Sequence, residues 1–186
     1  MNRARTLALG LKKGQVTLAH YDKSWPVIYR AERKLLKNTL GKLAISIAHV
    51  GSTAVPGLCA KPILDILVSV LSIEKAEKKI SSFEHCGYRV KPRDEDPIPG
   101  RLFFSKDMGG LRCFHLHVTK AGSTFLKEHL RFRNLLRKDP KAAHAYARLK
   151  LRLSKRFPDD RNAYIDGKAK FISDALNKKP SKSQNP

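Results

Sequence analysis

From residue 44 onward the chain alternates short apolar runs with longer stretches in which apolar residues recur every three or four positions. The runs AISIAHV (44–50) and PILDILVSV (62–70) predict strands. The second is nearly all apolar, as expected of a central strand covered on both faces. Ahead of them, a helix is predicted from Ser24 as cap, with Pro26 in its first turn. Val27, Ala31, Leu35 and Leu36 form its stripe and Gly41 ends it. Residues 73–86 read as one amphipathic helix closed by Gly87. RLFFSKD and LRCFHLHVTK flank Met108-Gly109-Gly110 and predict a β-hairpin, preceded by the charged, proline-rich loop KPRDEDPIPG. Helical periodicity then returns over about 124–138, 140–157 and 160–177, with Asp139-Pro140 and Phe157-Pro158-Asp159-Asp160 as breaks. Residues 1–20 read as an arm or short edge strand, 21–178 as one domain, and 179–186 as a disordered polar tail. Helix, strands, helix, strands and a helical C-terminal part make an α+β fold on a mixed sheet.

Composition narrows the classes. A chain of 186 residues with 41% apolar content can build a substantial core. No apolar run approaches the roughly 18–20 residues that span a bilayer, and the broken N-terminal apolar segment is too short for a signal peptide. Cys59, Cys86 and Cys113 are odd in number and lack CxxC spacing, which predicts reduced thiols and a cytoplasmic location. The net charge of +22 is uneven: residues 101–186 hold 21 basic and 7 acidic residues, whereas 61–100 hold 7 of each. Such a surplus favours polyanionic partners, either nucleotides or nucleic acids, and equally serves solubility.

The candidate chemistry gathers around HVGSTAVPGLCAKPILDILV (49–68). A Gly51-Ser52 turn after a strand lets backbone N–H groups and a hydroxyl approach phosphate oxygens. Gly51, Gly57 and Lys61 do not have P-loop spacing. Asp65, inside an apolar run, needs a polar cavity, a cation or a salt bridge to Lys61, because an uncompensated buried carboxylate costs several kcal/mol. His115 and His117 are two apart on a predicted strand and share a face. They suit a metal pair, a phosphate clamp or acid–base work, and His49 is positioned to join them. Arg133 and Arg137 lie one helical turn apart, and Arg148, Arg152 and Lys155 lie along one side of the next helix. They suit either phosphate binding or a solvated face.

YDKSWPVIYRAE, the 49–68 stretch, FHLHV, LRFRNLLRKDPKAAHAYARLK and the Tyr164, Lys168, Phe171 spacing resemble the GrpB family over about residues 21–176. The resemblance implies a nucleotidyltransferase-like mixed β-sheet core with flanking helices and a C-terminal helical segment. In that superfamily a Gly-Ser turn precedes a pair of aspartates on the next strand. Gly51, Ser52 and Asp65 match, while Leu67 stands at the second carboxylate, a position that is apolar or variable in this family. The family strand His-His-Leu-His has Phe114 first here. The implied function is binding of a nucleotide or phosphorylated metabolite, with nucleotidyl transfer as the implied reaction and Asp65 and Ser52 as its catalytic residues. Gly51, Ser52, Lys61, Arg133, Lys150 and Lys168 would bind phosphate. Asp65, His115 and His117 would hold a divalent metal, Mg²⁺ or Mn²⁺, with Zn²⁺ or Ni²⁺ better suited to imidazole. The competing expectation is a basic RNA- or DNA-binding module that kept the fold without catalysis.

Overall fold

The computed structural model describes residues 9–96 and 98–178, so the expectations for 1–8 and for the 179–186 tail lie outside the described residues. Five strands, β1 (Ala44–Val50), β2 (Leu64–Val70), β3 (Tyr88–Val90), β4 (Arg101–Met108) and β5 (Leu111–Lys120), form one sheet in the order β1-β2-β5-β4-β3. β2 and β5 run parallel, and the other neighbours are antiparallel. The fold is α+β, with α1 (Trp25–Leu40), α2 (Ile73–Glu77) and α3 (Ile80–His85) preceding the hairpin. The helices α4 (Thr124–Lys138), α5 (Pro140–Arg156) and α6 (Arg161–Asn177) follow it.

Because side chains alternate along a strand, the sheet has two unlike faces. Leu64, Ile66, Val68, Phe104, Phe114, Leu116 and Val118 point to one side and are sealed there with Trp25, Leu36, Ala76 and Phe83. Asp65, His115, His117, Phe103 and Arg101 alternate onto the other.

α1 corrects the predicted stripe. Its buried side is Trp25, Glu32, Leu36 and Leu40, while Val27 and Leu35 are 54% and 38% exposed. The core face contains a carboxylate, Glu32, which Lys106 from β4 neutralises at 2.9 Å, so hydrophobicity alone assigns the wrong side. Ser24 stands at the cap position without a capping side-chain bond. Asp22 Oδ1 instead accepts the Ser24 N–H at 2.7 Å. Residues 73–86 form two short helices rather than one, joined where Lys79 N–H bonds Ala76 O at 3.0 Å. The C-terminal helices begin as predicted, capped by Ser123, Asp139 and Asp160, each accepting a backbone N–H of its own first turn.

The N-terminal arm is tied down at four places. Gly10 N–H bonds Pro62 O, Leu11 exchanges bonds with Arg112, Val16 N–H bonds Pro158 O, and Ala19 pairs with Ala60. It thus bridges the sheet and the α5–α6 connection, with Leu9, Leu11 and Val16 buried beneath it. A second apolar cluster, Val55, Leu58, Leu136 and Tyr146, wedges the loop after β1 against α4 and α5.

Candidate functional site

The site begins where β1 ends. Gly51 has φ 71°, and a Cβ there would lie 2.4 Å from Asp65 Oδ2, so conformation and space both require glycine. The backbone of the 51–54 turn is therefore pressed against the Asp65 carboxylate. Arg133 and Arg137, one turn apart on α4, hold this turn from behind. Arg133 donates to His49 O at 2.8 Å, and Arg137 donates to Ala54 O at 2.8 and 2.6 Å.

The parallel pairing of β2 and β5 sets Asp65 beside His115 and Leu67 beside His117. His115 Nδ1 lies 3.1 Å from Asp65 Oδ1, and His117 Nε2 lies 3.8 Å from the same oxygen. Burial opposes ionisation of Asp65, but the hydrogen bonds from the two histidines outweigh it and hold the carboxyl well below its usual range. An ionised Asp65 accepts the proton on His115 Nδ1, which leaves the lone pair on Nε2. This is the tautomer of an oriented general base. Burial pushes His117 down to about 4 against the pull of Asp65, so this ring is neutral. Its Nδ1 faces Arg101 at 3.3 Å. A guanidinium only donates, so Nδ1 is the acceptor and the His117 proton sits on Nε2, towards Asp65. Arg101 is itself fixed by Asp96, whose carboxyl is held low by that guanidinium despite its own burial.

His49 does not join this group. It pairs in register with Ile66 on the sealed face, stacks on Tyr29 with centroids 4.7 Å apart and bonds Thr53 at 3.0 Å. Leu67 faces the site side but is wholly buried. As a divalent-metal site the donor set is thin: Arg101 takes up His117 Nδ1, which leaves the Asp65 carboxylate and the His115 Nε2 lone pair. Among the described residues no group of three or more His, Cys, Asp or Glu is arranged to hold an ion. Among the described residues Asp65 is the one carboxylate beside these histidines, so a hard cation here would need further oxygens brought by a ligand.

Three lysines line the same cleft as the carboxylate. Lys150, buried, donates to Ser52 Oγ at 3.0 Å and to Cys59 O, and burial lowers it to about 8. Lys168 lies 4.4 Å and Lys61 5.6 Å from the centre of the Tyr164 ring. Burial, then repulsion from Lys61, Lys150 and Arg161, brings Lys168 to about 7. Lys61 is lowered by burial and by Arg161. Among the described residues none of these three lysines has a carboxylate within ion-pair distance.

Gly51, Ser52, Lys61, Asp65, His115, His117, Arg133, Lys150 and Lys168 all line one cleft of about 700 Å³. Arg148, Arg152 and Lys155 are exposed and take no part in it. Sequence reasoning missed Arg101, His129 and Arg161 on the cleft wall. Arg101 carried no local signal, since only the folded hairpin brings it to His117.

The family described as GrpB protein matches residues 15–178. UPF0157 protein YqkA from Bacillus subtilis (strain 168) is 37% identical over 163 residues, covering 88% of this chain and 47% of that protein. The chain thus spans about half the length of that relative. The crystal structure of conserved protein GrpB from Enterococcus faecalis shares 33% identity at a TM-score of 0.77, over 86% of this chain and 97% of that one. Terminal uridylyl transferase 4 from Trypanosoma brucei with bound dUTP, at 15% identity and a TM-score of 0.49, covers 74% of this chain and 46% of that one. That likeness is one of outline alone.

Proposed function

The chain belongs to the GrpB protein family, and on that premise we propose that its cleft binds a nucleotide or phosphorylated metabolite by the phosphates. The observation that carries this reading is the group Lys61, Lys150 and Lys168, drawn together around Ser52 and Tyr164 without carboxylate partners among the described residues. Gathered and partly desolvated cations repel one another, and an anion among them relieves both costs. Ser52, the Gly51 turn and these lysines receive the phosphates. Arg133 supports the turn and adds its charge to the wall. Asp65 would anchor a divalent cation brought with the phosphates, whose contribution would be to neutralise their charge. Nucleotidyl transfer is the reaction class this arrangement suits, with Asp65 and Ser52 at the reacting end and His115 as the oriented base.

Calorimetry with a panel of nucleoside triphosphates, in Mg²⁺ or Mn²⁺ and in neither, tests the reading. Lys168→Ala is expected to cost roughly 1.5–3 kcal/mol, or about tenfold to a hundredfold in Kd, the range of a hydrogen bond to a charged group. Asp65→Ala is expected to remove any gain due to the metal. Absence of binding to every phosphate compound, or affinities untouched by both substitutions, would refute it.

A further inference from the structure

Beyond His115 the cleft opens into a second lobe of about 610 Å³ that shares Lys61, Lys91, Phe103, His115 and Arg161 with the first. Sheet register explains its direction. Asp65 pairs with His115, His115 with Ser105, and Ser105 with Arg89, so one row of side chains crosses four strands on the open face. At strand spacings of about 4.8 Å the row carries the lobe roughly 14 Å from Asp65 to the exposed Arg89. No single phosphate reaches from the Ser52 lysines to that arginine.

The walls of this lobe are basic. The exposed turn Lys12-Lys13 of the fastened arm overhangs it, and Arg89, Lys91, Arg112 and Arg161 complete it. Of its carboxylates, Asp107 is taken up by Arg112, while Glu95 lines the junction between the lobes. A slot between an arm, a sheet edge and a helix start accepts a thread rather than a flat anionic surface.

We propose that the second lobe holds the phosphodiester backbone of a single-stranded nucleic acid whose terminal nucleotide occupies the first lobe. This rests on the reading of the first lobe as a nucleotide site. Lys61 and Arg161, common to both lobes, sit at the joint between terminal and following phosphates.

Fluorescence polarisation with labelled single-stranded RNA and DNA oligonucleotides, run beside calorimetry with a mononucleotide, tests it. Arg89→Glu and the separate Lys12→Glu/Lys13→Glu pair lie outside the first lobe. Each is expected to weaken oligonucleotide binding about tenfold and to flatten its salt dependence, leaving mononucleotide affinity unchanged. The stronger of the RNA and DNA arms identifies the sugar. Mononucleotide binding without oligonucleotide binding, or oligonucleotide affinity unmoved by both variants, overturns this inference and leaves the first-lobe reading standing. Equal capture of anionic lipid vesicles, lost in the same variants, overturns it too. Failure of the wild-type protein to bind either probe refutes the reading of the first lobe as well.

Discussion

The two faces of the central sheet are built from alternate residues of the same strands and have opposite properties. On β2, Leu64, Ile66 and Val68 enter a core with no exposed surface, whereas Asp65, one residue away, lies at the floor of a charged cleft. On β5, Phe114, Leu116 and Val118 do the first job and His115 the second. Leu67 complicates the division. It points with Asp65 and His117, yet it is as buried as the core residues. The open face is therefore dry at 67 in spite of its polar neighbours, and a carboxylate there would have no water to face.

Two substitutions of similar size separate these roles. Leu67→Asp is expected to cost about 3–5 kcal/mol in denaturant unfolding, because it places an unpaired carboxylate in a dry position. It is not expected to create metal binding, and a stable, metal-binding Leu67→Asp protein would erase the distinction between the dry and the polar parts of this face. Phe104→Ala, on the sealed face against Phe83 at a centroid distance of 4.5 Å, is expected to cost about 3–5 kcal/mol by cavity formation. Ligand affinity of the folded fraction should stay unchanged. An affinity loss there would mean that the faces are coupled.

The division was legible in part. The strands and hairpin followed from short apolar runs and the Gly109-Gly110 turn, and α4–α6 from helical periodicity and the Asp139-Pro140 and Phe157-Pro158-Asp159-Asp160 breaks, because those signals are local. Alternation correctly put His115 and His117 on one face. Their meeting with Asp65 depends on a parallel pairing across 50 residues, which no spacing shows. The side of α1 was misread for the same reason: Glu32 is buried through a lysine 74 residues away. Lys150 and Lys168 were indicated only by family resemblance. Their grouping arises from helix packing, in which Tyr164 and Tyr146 bring apolar rings against ammonium groups.

The smallest expected effect is also the most specific to the cleft side. Lys168 in the folded protein gives up its proton near 7, against 10.5 for an ordinary lysine. Between those values the unfolded chain binds the extra proton, so stability rises with pH through this window, and the cost of the buried charge is complete below it. Lys168→Met should therefore be more stable than the wild-type protein at pH 6, by on the order of 1–2 kcal/mol or roughly 3–6 °C in Tm. That advantage should shrink towards zero as the pH approaches the ordinary lysine value. No apolar core residue of the sealed face can show this behaviour. Phosphate affinity should move the other way. Above pH 7 the wild-type protein must take up a proton on binding, so its affinity falls with rising pH from about 7, while that of Lys168→Met stays level until Lys150 begins to lose its proton near 8. Thermal melts and calorimetry across pH 6–9, the latter in buffers of different ionisation enthalpy, measure both slopes. A wild-type affinity that is flat over that range, or equal melting points at pH 6, would place Lys168 among the solvated lysines and remove it from the site.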